Sequence, residues 1–215
     1  MLSLGLDPSL TGFGWVVHDP NAQDHARVVK KGRFKTTARQ IFVERYIFLR
    51  ENVKALLDEF PEVSIVGVES PPFGESFSEG LYALFVQVNE AVFTRRRDVV
   101  YFDPTTVKFL AKEDPSFRKG RMFKADMMAL AKADTGITRW NADEADAYHV
   151  ARFAGRFYQL LENQIEEDVL LPSEKQVFLK YKTITRGEQA GQVKGTGVLF
   201  KEGSRFHRFS KLEVP

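Results

Sequence analysis

Residues 2–18 of this chain read LSLGLDPSLTGFGWVVH, two short apolar segments separated by turn-forming residues. The first segment, residues 2–6, is followed at once by an acid, Asp7, and the second, residues 12–18, ends before the turn-forming pair Asp19 and Pro20. Residues 27–35 form a third, more polar candidate strand. Three strands are therefore predicted ahead of the first helix.

Beyond residue 35, helical and extended segments alternate. Apolar residues recur at helical spacing over residues 39–60 and again from 78 to 97. Short β-branched runs at residues 64–68 and 99–102 predict two further strands. Pro104 suits the first turn of a helix, and residues 124–133 and 143–161 predict two more helices. This order predicts an α/β domain, a five-stranded mixed sheet flanked by helices.

The composition is that of an ordinary globular chain. Of its 215 residues, 43% are hydrophobic, enough for a sizeable core without disulfides. The absence of cysteine excludes disulfides, thiolate zinc sites and a cysteine nucleophile. The chain has no run of about 18 apolar residues and its N-terminus is a poor signal peptide. We therefore expect no membrane contact and a cytoplasmic protein, in the host cytoplasm if the gene is viral.

Positive charge is concentrated near the C-terminus. The chain carries a net charge of only +2, but residues 172–215 contain nine Lys and Arg against four Glu, a difference of 9 − 4 = +5. We predict a main domain over residues 1–165 and a basic, β-hairpin-like extension over 172–215. Its predicted strands are residues 177–185, 193–201 and 204–212. Such a tail suits contact with a polyanion, although the charge is equally typical of a solvated surface.

Acidic residues stand at two strand ends and on one helix face. Asp7 and Glu69 each end a strand, and Asp143 and Asp146 are three residues apart on the last helix, so they share a face. Ligands bind at the carboxyl ends of parallel strands, and acids that converge there need cations to neutralise them. Oxygen ligands favour Mg²⁺ or Mn²⁺, and two such ions roughly 4 Å apart support in-line phosphodiester hydrolysis.

Each of these residues also has a structural interpretation. A single acid after a strand is commonly a helix cap or turn former, which applies to Asp7 and Glu69, and Asp143 suits the N-cap or first turn of its own helix. Asp146 is harder to explain in this way because small alanines flank it. His149 is either a partly buried packing residue or a group that orients water or binds metal.

Taken together, these segments resemble the RuvC family of Holliday-junction resolvases, in the RNase H-like superfamily. The family's first strand is similar to LGLDPSLTGFGW, with Ser9 where glycine is usual. The strand that carries the family's catalytic glutamate is similar to VGVES, and its last helix is similar to NADEADAYHVA. PTTVKFL and KADMMAL are similar to the connection that carries two basic residues. The resemblance runs from residue 2 to about residue 156 and implies an RNase H-like fold.

The resemblance implies roles for individual residues. His149 is a candidate substitute for Asp143, whose position is Asp or His in the family. Phe73 is the nearest match to an aromatic wedge that opens the junction, with Phe77 as the alternative; Phe73 otherwise anchors a tight loop in the core. The acids implied to hold two Mg²⁺ ions, or Mn²⁺, are Asp7, Glu69, Asp143 and Asp146. The basic residues implied to contact DNA are Lys108 and Lys124, with Lys119 and Arg121 as alternatives.

The resemblance implies a Mg²⁺-dependent endodeoxyribonuclease of DNA recombination and repair. It would act as a homodimer, formed through the helix at residues 78–97, and resolve four-way junctions. The tail would extend the DNA contact through its basic residues and aromatics (Phe178, Tyr181, Phe206 and Phe209), or serve as a dimerisation arm or partner module.

Three alternative functions stay open. The first is an RNase H-like nuclease that acts on flaps, branched DNA or RNA–DNA hybrids. The second is an actin-like nucleotide-binding protein, whose phosphate loop resembles DPSLTGFG, and the third is an inactive DNA-binding relative.

Overall fold

The structure, a computed structural model, describes residues 1–37, 39–71, 78–112 and 122–179, together with the backbone of four short strands between residues 181 and 208. These residues divide into two compact units. The first contains the described residues up to 111 and those from 122 to 155, and the second includes the described residues from Arg156 onward. The boundary predicted at residues 165–172 stays a prediction.

The first unit is built on a five-stranded mixed sheet with the strand order β3-β2-β1-β4-β5. β2 is antiparallel to both of its neighbours, whereas β4 is parallel to β1 and β5 is parallel to β4. The strands are β1 (Leu2–Asp7), β2 (Gly12–His18), β3 (Val28–Lys35), β4 (Val63–Glu69) and β5 (Asp98–Phe102). The predicted α/β fold with a five-stranded sheet is confirmed, because each predicted strand of this unit is present.

Helices cover both faces of the sheet. They are α1 (Phe42–Glu59), α2 (Glu79–Thr94), α3 (Pro104–Ala111), α4 (Lys124–Thr135) and α5 (Ala142–Leu161). Alternation along each strand separates the two layers. Leu4 and Leu6 of β1 pack in one apolar cluster with α1 and α2, whereas Val16 of β2 packs in another with α4 and α5.

Helix α5 lies unusually close to the sheet because glycines replace side chains beneath it. Gly5 of β1 and Gly67 of β4 are neighbours in the parallel register. A Cβ at Gly5 would lie 2.0 Å from the carbonyl oxygen of Ala147, and one at Gly14 would lie 2.0 Å from that of Asp143. A Cβ at Gly67 would come within 2.8 Å of a Val150 side-chain carbon. The backbone of α5 therefore rests on the backbone of three adjacent strands.

The second unit contains a helix that the sequence pattern did not predict. Residues 177 and 178 were predicted to begin a strand, but they end helix α6 (Pro172–Phe178). The helix forms because Pro172 suits its first turn and the Glu174 side chain accepts a hydrogen bond from the Leu171 N–H at 2.9 Å. Phe178 is buried and packs edge to face against Phe157. The prediction that Phe178 stacks on DNA is therefore wrong.

Beyond α6, the described strands of the tail form two antiparallel pairs, which confirms the β-rich extension. β6 (Tyr181–Thr183) pairs with β7 (Val193–Gly195), and β8 (Leu199–Glu202) pairs with β9 (Arg205–Arg208). The described residues of the single strand predicted over 193–201 belong to two different strand pairs, β7 with β6 and β8 with β9. The side chains of Tyr181 and Phe206, and residue Phe209 as a whole, lie outside the described part of the chain. Among the described helices, none is long and apolar enough to span a bilayer.

The glycine contacts generate a stability prediction. Gly5→Ala forces a methyl group into the backbone of α5, so we expect a loss of at least about 3 kcal/mol in the free energy of unfolding. The matched control is Gly80→Ala in α2, where the new Cβ would lie 3.3 Å from the end of the Leu10 side chain. We expect this control to change stability by less than about 1 kcal/mol. Urea denaturation measures both, and equal midpoints for the two variants would contradict the packing described.

Candidate functional site

Strand alternation places Asp7 and Glu69 side by side. Leu6 of β1 pairs with Val68 of β4, so Asp7 and Glu69 are the next residues at the carboxyl ends of two parallel strands, roughly 4.8 Å apart in the sheet. Each acid lies two residues beyond a glycine that contacts α5. Both carboxylates therefore project from the face of the sheet that α5 covers.

The first two turns of α5 supply the remaining acids. Asn141 precedes the helix, and its side-chain oxygen accepts a hydrogen bond from the Glu144 N–H at 2.9 Å. Asn141 is thus the N-cap residue, and the interpretation of Asp143 as the N-cap is wrong. Asp143 lies in the first turn of α5, and Asp146 follows one turn later. The close packing of α5 on the sheet brings both residues toward the strand ends.

The electrostatics of the acids show that they converge. Burial raises the pKa of Asp7 well above its ordinary value, and the charges of Glu69, Asp146 and Asp143 raise it further. Burial and then the charge of Asp146 raise the pKa of Glu69 to about 7. Burial also raises the pKa of Asp146, and Asp143 adds to the effect. These acids, distant in sequence, therefore repel one another across a shared site.

Two lysines lie beside the acids and partly offset that repulsion. Lys108 of α3 and Lys124 at the start of α4 both lower the pKa values of Glu69 and Asp146, against the larger effect of burial. The Lys124 ammonium lies 3.8 Å from an oxygen of Asp143, and its side chain is 67% exposed. The structure thus brings together the four acids and two of the basic residues singled out from the sequence.

Arg33 also belongs to this region and was missed in the sequence analysis. Its guanidinium donates a hydrogen bond to Asp143 at 3.0 Å. Arg33 lies on the edge strand β3, opposite Gly14 of β2, which in turn lies opposite Asp7 of β1. The alternation of β3 was visible in the sequence, but its register against β2 was not, and that register is what places Arg33 beside Asp143.

His149 is not part of the acidic cluster. It is fully buried, and its Nε2 donates a hydrogen bond to the Met127 carbonyl at 3.1 Å, between α5 and α4. Its ring packs against Tyr148 and Phe153. Burial lowers the pKa of His149 to about 4, so the ring is neutral at neutral pH. The structure therefore places His149 as a packing residue, and we assign it no part in binding metal or orienting water.

The chemistry of the acids fits a divalent cation, but the ligands are not yet arranged around one. Buried carboxylates with raised pKa values are stabilised by a nearby cation, and hard oxygen donors suit Mg²⁺. A cavity of about 40 Å³ adjoins the strand ends and is lined in part by Asp7, Glu69 and Ser70. Among the described residues, however, no three carboxylates or imidazoles are spaced as a metal-ligand set. Binding of a cation would therefore require these side chains to rearrange.

Four predicted DNA-contacting residues cannot be placed. Phe73 and Phe77, the candidates for the aromatic wedge, lie in residues 72–77, outside the described part of the chain. Lys119 and Arg121, the alternatives to the two lysines of the site, lie in residues 113–121, which are also outside it. Their assignments stay predictions.

Comparison with known proteins supports the fold. No family model and no curated protein matches the sequence. Thermus thermophilus RuvC has a similar structure, with a TM-score of 0.59 and 22% identity over 71% of this chain and 92% of that chain. T. thermophilus RuvC in complex with Holliday junction substrate gives a TM-score of 0.57 and 20% identity, over 71% and 90%. The yeast mitochondrial Holliday junction resolvase Ydc2 gives 0.45 and 12%, over 70% and 75%. The two T. thermophilus structures show that this chain has a RuvC-like fold.

Proposed function

We propose that this chain is a divalent-metal-dependent endonuclease that cuts branched DNA and resolves four-way junctions. The observation that carries the proposal is the convergence of Asp7, Glu69 and Asp146 with Lys108 and Lys124 at the carboxyl ends of parallel strands. The RuvC-like fold supports a junction-resolving nuclease at the level of the fold. One structure with this fold is a complex with a Holliday junction substrate, which supports branched DNA as the substrate class.

The three inner acids, Asp7, Glu69 and Asp146, are the proposed ligands of the cation, with Mg²⁺ preferred and Mn²⁺ accepted. When bound, such a cation neutralises the carboxylates, lowers the pKa of a water molecule and stabilises charge on a phosphate. Asp143 is the candidate ligand for a second ion. Its carboxylate already pairs with Arg33, so it is the least available of the four.

Lys108 and Lys124 are proposed to hold the scissile phosphate. Both lie close enough to influence Glu69 and Asp146, and the exposure of Lys124 leaves its ammonium accessible from solvent. A phosphate that approaches the acids is repelled unless positive charge accompanies it. The two ammonium groups offset that repulsion on binding, and they stabilise the additional charge that develops on the phosphate oxygens during hydrolysis.

The nucleotide-binding alternative is disfavoured by the loop between β1 and β2. A phosphate-binding loop directs its backbone N–H groups at the ligand. Here the Ser9 hydroxyl accepts hydrogen bonds from the N–H groups of Thr11 and Gly12, at 3.4 and 3.3 Å. Ser9 is the residue that departs from the family pattern. Its hydroxyl therefore occupies two backbone N–H donors that a nucleotide phosphate would need.

We also propose that the chain acts as a homodimer. The outer face of α2 exposes Tyr82, Val86 and Phe93, with 44%, 47% and 58% of each residue accessible, at spacings that place them along one side of the helix. An apolar stripe of this kind suits burial against a second copy. Light scattering should give a dimer mass at the concentrations used for cleavage, and a monomer mass under those conditions would contradict this part of the proposal.

Removal of single carboxylates tests the catalytic assignment. Asp7→Asn and Asp146→Asn remove charge that the cation requires, so we expect each to lower the cutting rate by roughly 10³-fold or more. Binding of the junction should persist because neither residue provides the positive charge that holds DNA. Glu144→Gln is the matched control, since Glu144 lies on the same helix but its carboxylate pairs with Lys31 at 2.5 Å.

The assay uses synthetic four-way junctions, flaps, duplex DNA and RNA–DNA hybrids, with Mg²⁺ or with EDTA, and measures binding separately. Preferential, symmetric cutting of the four-way junction supports the proposal. Faster cutting of flaps or hybrids would favour the alternative RNase H-like activity. If the two aspartate variants cut at the rate of Glu144→Gln, the site assignment is wrong.

The raised pKa of Glu69 predicts how stability depends on pH and metal. Glu69 titrates near 4.5 in the unfolded chain and near 7 in the folded protein. Between these values the folded protein binds more protons, so this group lowers the free energy of unfolding as pH rises, by up to about 3 kcal/mol. In EDTA, Glu69→Gln should therefore gain stability relative to the parent chain between pH 5 and pH 8, on the order of that amount.

Denaturation in urea at several pH values measures this difference. Mg²⁺ or Mn²⁺ at pH 8 should stabilise the parent chain more than Glu69→Gln, because the ion relieves the same repulsion. A stability difference between the two proteins that is independent of pH would contradict the described environment of Glu69.

A further inference from the structure

The outermost acid of the site, Asp143, is held by cationic side chains on two sides. One carboxylate oxygen accepts a hydrogen bond from the Arg33 guanidinium at 3.0 Å, and the other lies 3.8 Å from the Lys124 ammonium. Arg33 is on edge strand β3 and Lys124 is on α4. Each oxygen that could bind a cation thus already faces a positive charge supplied by the protein.

The sheet is shaped to permit this pairing. Asp7, Gly14 and Arg33 are register partners on three adjacent strands, so Arg33 is roughly 10 Å from Asp7 in the sheet, two strand spacings. Gly14 has no side chain to fill the gap between them, and α5 places Asp143 directly above it. A Cβ at the neighbouring Gly12 would lie 2.7 Å from the paired Asp143 oxygen. The two glycines leave room for the carboxylate to reach across β2 toward Arg33.

This geometry divides the four acids into two groups. Asp7 and Glu69 end two adjacent parallel strands, Asp146 faces them from α5, and burial is the largest cause of the raised pKa of each of the three. Asp143 is turned toward β3 and forms an ion pair there. A divalent cation that used Asp143 would have to compete with the Arg33 guanidinium for the same carboxylate, and the two positive charges repel each other at short range.

We propose that Arg33 is a positioning residue that holds Asp143 in an ion pair and so competes with a divalent cation for that carboxylate. The first divalent cation is then held by the three inner acids, and a second is held only when Arg33 releases Asp143. The inference rests on the proposed function for the identity of the cation. It goes beyond that function in assigning unequal affinities to the two cations and in naming the side chain that sets the difference.

Direct measurement of Mn²⁺ binding tests the proposal without relying on cleavage. Electron paramagnetic resonance of free Mn²⁺ gives the number and affinity of bound ions for the whole chain. In the parent chain we expect one tighter and one weaker site. Arg33→Gln should tighten Mn²⁺ binding at the weaker site roughly tenfold by removing the competing charge. Arg33→Lys keeps the charge on a shorter side chain, so its Mn²⁺ affinity at that site should lie between those of the parent chain and Arg33→Gln.

Lys35→Gln is the matched control. Lys35 is exposed on the same face of β3, opposite Gly12, so its loss removes an equal charge from the same edge strand. We expect it to change the weaker Mn²⁺ affinity by less than about twofold, since a solvent-exposed charge is well screened. The double variant Arg33→Gln with Asp143→Asn should lose the weaker site altogether. Thermal denaturation checks that every variant is folded.

The outcomes separate this inference from the proposed function. An unchanged weaker site in Arg33→Gln, or an equal gain in Lys35→Gln, overturns the role of Arg33. If Arg33→Gln alone tightens the weaker Mn²⁺ site but the parent chain cuts no branched DNA, the role of Arg33 is supported and the proposed nuclease activity is overturned. Absence of Mn²⁺ binding by the parent chain at millimolar concentration overturns both.

Discussion

The contact between the backbone of α5 and the glycines of the sheet sets the geometry on which the candidate site depends. Gly5 and Gly67 lie next to each other on parallel strands. Asp7 lies two residues after Gly5, and Glu69 lies two residues after Gly67. The surface that receives the helix and the surface that presents the carboxylates are therefore the same face of the sheet. The separation of α5 from the strands fixes how far Asp146 stands from both strand acids, and the absence of a Cβ keeps that separation small.

The same proximity has an energetic cost. Carboxylates that are brought together and partly buried raise one another's pKa values. Ionising all of them therefore lowers the free energy of unfolding. The protein offsets this in two ways. Lys108 and Lys124 supply positive charge from α3 and α4, and Arg33 forms an ion pair with the outermost acid. Neither replaces a divalent ion in the inner part of the site, which is why we infer that the acids serve a metal rather than stability.

Sequence patterns predicted the parts of the site that depend on local order. Asp7 and Glu69 could be identified because an acid that follows an apolar strand is visible in a single segment, and Asp146 because helical spacing is regular. Arg33 depends on the register of an edge strand against its neighbour, which no local pattern specifies. His149 had two interpretations, and only its contact with a carbonyl on another helix decides for packing. Helix α6 was missed because the β-branched and aromatic residues around it favoured a strand, while its capping contacts and buried end residue favoured a helix.

The central claim is that the inner acids together bind a divalent cation for phosphodiester hydrolysis. A crystal of the chain grown with Mn²⁺ and examined by anomalous scattering tests this most directly. The account predicts a strong manganese peak within about 2.3 Å of oxygens from Asp7, Glu69 and Asp146, the ordinary length of such bonds. Manganese bound only elsewhere on the surface, with these three carboxylates empty at saturating concentration, would contradict it.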